Sequence, residues 1–179
     1  HAEIDTGIHS ELVLQVAASL SIDPKLRFAA LVHDLGKALT PRDKWPKHHG
    51  HEALGCQQID HLCHRLRIPS EYRKLALMVS RYHLLIHQID ELKPETILKV
   101  LERVDAFRRP EYFHQLLLAC QADAQGRLKN VDYEQAEKWR HHLKECVNIS
   151  AQDMIMQGYQ GAAIKEALHQ HRLKIIAQS

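Results

Sequence analysis

The sequence predicts an all-α fold. Proline and glycine divide the 179 residues into segments whose apolar positions recur with helical spacing, and no stretch alternates apolar and polar residues long enough to require a strand. The apolar fraction of 45% is ordinary for a globular chain, and the length suits one compact domain with an added helical tail.

Asp5 is expected to cap a first helix whose stripe runs Val13, Val16, Leu20 and which ends near Ser21. Asp23 before Pro24 is an N-cap with proline at the first helical position, and Leu26, Ala30 and His33 then follow one face toward Gly36. Residues 37–49 hold Pro41, Pro46 and many charges without helical period, which predicts an exposed loop long enough to carry function. Helices follow over 50–67, 69–88 and 94–107, with Pro69 and Pro94 marking starts. Beyond Arg109 come three further amphipathic stretches, at 110–125, 132–147 and 162–177. The expected organisation is a metal-site domain over 6–107 and a helical tail over 108–179.

Composition narrows the function classes. No apolar run approaches the roughly 18 to 20 residues that span a bilayer, and the first residues, with Glu3 and Asp5, do not resemble a signal peptide. A cytoplasmic protein is expected. Cys56, Cys63, Cys120 and Cys146 form no C-x-x-C pair, so they read as reduced core fillers. A formal charge of +2 does not by itself announce a nucleic-acid binder. The 15 histidines do stand out, because neutral imidazole is the commonest protein ligand for transition metals.

His9 precedes Val13 by four residues and Val16 by seven, so it projects from the core face of the first helix. His33 extends the Leu26 and Ala30 stripe, and Asp34, about 100 degrees further around, flanks the same point. An aspartate near a helix C-terminus opposes the dipole and needs another reason to be there. Asp105 follows Ile97, Leu101 and Val104, where an unpaired carboxylate would be costly to bury. Two readings stay open for it: a metal ligand, favoured here, or an ion pair with Arg108 or Arg109. Two imidazoles and two carboxylates balance a divalent ion and leave room for water, whose proton such an ion loosens. His33 and Asp34 are therefore taken as catalytic as well as ligating, with Asp34 able to accept a proton from water.

The pattern of a lone histidine, a His-Asp pair ending a helix and a distant aspartate resembles the HD superfamily. His9, the run His33-Asp34-Leu35-Gly36-Lys37 and the run Val104-Asp105-Ala106-Phe107 fit it in order. The stretch from His1 to His9, the loop from Trp45 to Gly55, the segment from Asp105 to Glu111 and the run Ala122-Asp123-Ala124-Gln125-Gly126-Arg127 further resemble the C-terminal region of bacterial CCA-adding tRNA nucleotidyltransferases. That resemblance implies phosphatase, 2′-nucleotidase and 2′,3′-cyclic phosphodiesterase activities with a divalent metal, nickel or magnesium favoured and manganese possible. It implies a tRNA 3′ end or a cyclic nucleotide as substrate, and a monomer or homodimer. The chain has no Gly-Gly element and no Asp-x-Asp pair for nucleotidyl transfer, so it is read as the C-terminal portion of such an enzyme, without the polymerase head.

Around this core, His51, beside Glu52 and Gly55 in an H-E-x-x-G run similar to that of HD proteins, is expected with His83 to line the substrate pocket. Lys37 follows the His-Asp turn as a mobile point charge for phosphate, and His83 and His87 share a helix face one turn apart. Arg108, Arg109 and Arg127 are candidates for RNA backbone contacts, since arginine forks match phosphate oxygens. The rivals are an HD hydrolase of free nucleotides and a non-catalytic tRNA-binding or dimerisation module.

Overall fold

The computed structural model describes residues 6–127 and 132–178, and among them every regular element is helical. Nine α-helices are present among the described residues: α1 Thr6–Leu20, α2 Pro24–Val32, α3 His51–Leu66, α4 Ser70–His87, α5 Pro94–Arg103, α6 Pro110–Arg127, α7 Glu134–Val147, α8 Ala151–Met156 and α9 Ala162–Gln178. Asp5, the expected cap of α1, lies outside the described residues. None of the helices is long and apolar enough to cross a membrane.

The signal at Asp23 and Pro24 acts as expected. The Asp23 carboxylate accepts the Lys25 N–H at 2.9 Å, and its other oxygen takes the Gln115 side-chain amide at 2.6 Å, which ties the start of α2 to α6. The helix stops at Val32 with His33 as its C-cap, at the expected His33-Asp34 pair, and the chain passes through Asp34 into a 3-10 turn over Leu35–Leu39. Gly36 explains the tight course. A Cβ there would lie 1.9 Å from the His51 carbonyl oxygen and 2.5 Å from the Gly55 nitrogen, so only glycine lets this turn press on the first turns of α3.

Helix α5 ends at Arg103, short of the expected Phe107. Asp105 adopts a left-handed conformation with φ 58, the Ala106 N–H bonds the Leu101 carbonyl at 2.9 Å, and the Asp105 N–H bonds the Glu102 carbonyl at 3.1 Å. This is a Schellman ending, in which aspartate stands where glycine or asparagine is usual. Helix α8 has no counterpart in the sequence reading. Six residues are too few for a periodic signal, and its start is marked by a capping box between Ser150 and Asp153.

Helix α6 packs along α1, α2 and α4, although the sequence placed it in the tail, while α9 lies against α5, α7 and α8. Val13 and Ala17 of α1, Leu26 of α2, Leu75 and Ile86 of α4, and Phe113, Leu116 and Leu117 of α6 are all at most 1% exposed. Burying each large apolar side chain contributes about 1.5–3 kcal/mol, so this face fixes the bundle firmly. Gly126 sets the approach of α6 to α1, since a Cβ there would sit 2.8 Å from Val13 Cγ2 and 3.0 Å from the Val13 nitrogen. The first turns of α1 and α3 and the last turns of α2, α4 and α6 thereby meet at one end of the bundle.

Candidate metal centre

That shared end brings together His9 of α1, His33 and Asp34 after α2, His51 of α3, His83 and His87 of α4, and Asp123 of α6. His9, His33, Asp34, His51, His83 and Asp123 are buried. Three imidazoles are oriented by main-chain carbonyls that accept from Nδ1: Ala30 for His33 at 2.8 Å, His48 for His51 at 2.9 Å, and Val79 and Ser80 for His83 at 3.2 and 3.0 Å. With a proton on Nδ1, each Nε2 faces the centre, where the neutral ring offers a lone pair and the charged ring a second proton.

The spacing of those donors suits an ion. His9 Nε2 lies 2.9 Å from Asp123 Oδ1 and 3.9 Å from Asp34 Oδ2, and His33 Nε2 lies 3.2 Å from Asp34 Oδ2 and 3.5 Å from Asp123 Oδ1. Ligands at about 2.0–2.2 Å from a common ion stand about 3–3.5 Å from one another. Two overlapping groups, His9 with His33 and Asp123, and His33 with Asp34 and His83, each place one donor atom per residue within 4.8 Å of the others. His33 Nε2 and both Asp34 oxygens are buried, and the groups nearest them are ionisable: each other, Asp123, His51 and Lys37. A cation would satisfy all three atoms at once.

The electrostatics agree. Burial opposes a charge on His33, but Asp34 and Asp123 outweigh it and raise its pKa to about 10. Burial likewise opposes the carboxylates, yet His33 and the other imidazoles hold Asp34 and Asp123 well below the usual carboxylate range. In the ion's absence a proton on His33 occupies the gap between two carboxylates, which is a place for positive charge. His83 goes the other way: burial and the charge on His33 lower it to about 3, so it stays a neutral donor.

Around the donors, Lys37 Nζ reaches Asp34 Oδ2 at 2.6 Å, and Arg127 contacts Asp123 Oδ1 at 3.1 Å and Asp34 Oδ2 at 4.0 Å. His51 Nε2 stands 3.2 Å from both His83 Nε2 and Asp34 Oδ1. Burial depresses the basicity of His51, but Asp34 more than reverses this, so its pKa is raised. His51 and His83 line a cavity of about 150 Å³ together with Lys37, Lys47, His48 and Arg127. On the far side of Asp123, the Tyr133 hydroxyl, kept protonated by burial and by Cys120 and Asp123, donates to His87 Nδ1 at 2.7 Å. His87 Nε2–H then donates to Asp123 Oδ2 at 2.8 Å, leaving Oδ1 to the centre.

Of the four ligands expected, the structure brings His9, His33 and Asp34 together and places Asp105 elsewhere. The Asp105 carboxylate takes Arg108 Nε at 2.6 Å and Nη2 at 3.0 Å, with Arg109 at 3.4 Å. This is the ion pair that the sequence left open. The apolar stripe of α5 ends at Val104, and the left-handed turn swings the next side chain off that face. Arg108 and Arg109 are exposed beside it, whereas Arg127 stands at the cavity. The position beside His9 and His33 belongs to Asp123. Its signal was in the sequence: it follows Leu116 by seven residues and Cys120 by three, on the buried face of α6.

The sequence model of the family described as "HD domain" matches residues 6–109. The chain belongs to the HD domain family. HD domains bind divalent metals, and the buried His and Asp groups here are of the kind that could hold one. This HD chain is 57% identical over 176 residues to a "Multifunctional CCA protein" of Legionella pneumophila strain Lens, covering 98% of the chain and 43% of that protein. It is 52% identical over 181 residues to a protein of the same description from Nitrosococcus oceani, covering 100% of the chain and 45% of that relative. A third, from Thioalkalivibrio sulfidiphilus, is 51% identical over 180 residues, with 99% and 44% covered. The chain thus spans less than half the length of these curated relatives, and the similarity is to their C-terminal part. No solved structure matches the chain.

Proposed function

We propose that this chain is a divalent-metal phosphohydrolase for ribose phosphates, with 2′,3′-cyclic phosphodiesterase, 2′-nucleotidase and phosphatase activities. In this reading it forms part of a CCA-adding tRNA nucleotidyltransferase and acts in maturation or repair of the tRNA 3′ end. The observation that carries the proposal is the burial of His9, His33, Asp34 and Asp123 at ligand spacing beside a cavity lined by Lys37, Lys47 and Arg127. The relatives described as multifunctional CCA proteins support the tRNA half.

His9, His33, Asp34 and Asp123 would hold the ion, which supplies Lewis acidity toward phosphate oxygens and water. The imidazole nitrogens favour nickel, while the two carboxylates suit the oxygen-preferring magnesium and manganese. Lys37 and Arg127 bind the phosphate oxygens and offset charge that grows as the phosphorus is attacked. Asp34 accepts a proton from the attacking water. His51, whose pKa is raised, carries on Nε2 the proton that the departing ribose oxygen needs. Arg108 and Arg109, exposed on the α5–α6 turn, are proposed to meet RNA backbone outside the cavity.

The size of the cavity favours an RNA end over a free nucleotide. At about 150 Å³ it is below the roughly 300–1,000 Å³ of pockets that enclose whole small molecules, and it admits a phosphate with part of its ribose. The test is metal analysis of the purified protein together with hydrolysis of 2′,3′-cyclic AMP in nickel, manganese or magnesium. Ring opening that chelator abolishes and metal restores is expected. Absence of ring opening with every metal, on a protein of intact helical content, would leave the non-catalytic module as the better account.

A further inference from the structure

The loop that walls the cavity carries an aromatic ring for which hydrolysis provides no task. Pro46, Lys47 and His48 line the cavity, and Trp45 stands immediately outside them. Its ring meets the His48 imidazole at a centroid distance of 5.6 Å and an inclination of 41°. Its indole N–H donates to the Thr40 carbonyl at 3.1 Å, and Thr40 is itself buried, with its hydroxyl donating to the Lys37 carbonyl at 2.8 Å. The indole is thus held at its N–H and against one neighbouring ring, yet it remains 54% exposed. Among the described residues the other exposed aromatic is Tyr159, in the turn between α8 and α9. A lone exposed apolar side chain needs no explanation. One fixed in orientation, one ring's width from a cation-lined cavity, does.

We propose that Trp45 is a nucleobase platform: the base of the substrate nucleotide stacks on its indole while the phosphate enters the cavity beside Lys37, His51 and Arg127. The identity of the cavity's occupant rests on the phosphohydrolase reading above. In a nucleotide the phosphate and the base are separated by one sugar, and here the cavity and the indole are separated by one imidazole, that of His48. Among the described residues those lining the cavity include no carboxylate, and the nearby Asp34 is offset by Lys37 at 2.6 Å. Every base has a π-face, so stacking accepts any base and suits an enzyme that meets whichever nucleotide ends its RNA. The phosphate is read by charge and the base by area alone.

The chain reports on this itself. It has two tryptophans, and the other, Trp139, is fully buried with its N–H bonded to the Ile86 carbonyl at 3.0 Å, so a ligand-dependent change in emission reads Trp45. Titration of the whole chain with adenosine 2′-monophosphate should give saturable quenching, and inorganic phosphate should give none. Trp45→Ala should raise KM for 2′,3′-cyclic AMP about 5- to 150-fold, the range for loss of one base–aromatic stack, with kcat within about twofold. Its preference for that substrate over glycerol 1,2-cyclic phosphate, which has no base, should fall by the same factor, and Trp45→Phe should recover most of it. No quenching by the nucleotide, equal quenching by phosphate, or an unchanged KM in Trp45→Ala would overturn the platform. The two readings fail separately. Quenching without hydrolysis keeps the platform and removes the phosphohydrolase, whereas hydrolysis with neither quenching nor a KM change does the reverse.

Discussion

Replacing Asp123 by Asn should cripple metal binding, and replacing Asp105 by Asn should not. Asp123 is 1% exposed, with His9 Nε2 at 2.9 Å and His33 Nε2 at 3.5 Å from its Oδ1, while Arg127 Nε lies at 3.1 Å. The amide keeps the shape and the His87 contact but removes one negative charge from the donor set. Two unit charges about 4 Å apart interact by about 4 kcal/mol at an effective dielectric of 20, and a divalent ion held by the carboxylate loses at least that much. The expected change is thus about 10³-fold in Kd. The Asp105 carboxylate faces Arg108 and Arg109 near the surface, so its loss should leave the Kd within about threefold. Competition of each purified variant for nickel against a chromogenic chelator measures both values, with circular dichroism confirming the helices. A Kd for Asp123→Asn within about threefold of the parent, or an equal loss in Asp105→Asn, would refute the assignment.

His33→Ala or Asp34→Ala should remove bound metal and abolish hydrolysis with helical content retained; metal analysis of a fully active variant would refute this. Lys37→Met keeps the packing of a buried stem but loses the charge 2.6 Å from Asp34, so turnover should fall about 10²-fold or more without weaker metal binding. A weaker nickel Kd would instead make Lys37 part of the metal site. Gly36→Ala forces a methyl into the His51 and Gly55 backbone and should cost on the order of 2–4 kcal/mol in urea denaturation; an unchanged midpoint would mean the turn can move freely. Metal-free protein should be most stable near pH 6.5. His33, raised to about 10, contributes fully below its ordinary 6.5 and loses that stabilisation as pH climbs through 10. His83, lowered to about 3, costs stability as pH drops below 6.5, because the unfolded chain takes up the proton first. Calorimetry in chelator should therefore show Tm falling by more than about 4 °C between pH 7 and 9, and less with nickel bound; a flat or rising Tm would refute it.

What the sequence made legible follows from the range of its signals. The Asp23-Pro24 start of α2, the inward stripe of His9 with Val13, and the His33-Asp34 pair are encoded within a few residues, and each appears in the structure. The end of α5 was misplaced because Val104-Asp105-Ala106-Phe107 continues the apolar pattern, while the helix is stopped by a left-handed backbone that aspartate tolerates and the pattern does not display. The choice of the fourth candidate ligand goes astray with it. Asp105 shares a local stripe with Leu101 and Val104, so it looked buried, whereas Asp123 gains its partners from α1 and α4, through contacts such as His87 that are 36 residues distant. Helix α8 escaped notice because its capping box governs only six residues.

The placement of Asp123 changes what the C-terminal helices are for. The HD match ends at residue 109, yet a carboxylate of the centre stands on α6 and is aimed by a hydrogen-bond chain that begins at Tyr133, at the entrance to α7. The chain has a direction. The Asp123 carboxylate can only accept, so His87 donates at Nε2, the Nδ1 of the neutral ring takes the Tyr133 hydroxyl proton, and Asp123 is left with Oδ1 for the centre. The same carboxylate oxygen that meets His9 and His33 also meets Arg127, one turn along α6, whose other contact reaches toward Asp34 at the cavity. A shift of α6 along α1 would move the carboxylate and the arginine together, and Gly126 leaves no room for such a shift against Val13. The candidate metal site and the arginine proposed to meet phosphate are therefore held in one register by a helix that the sequence alone places in an appended tail.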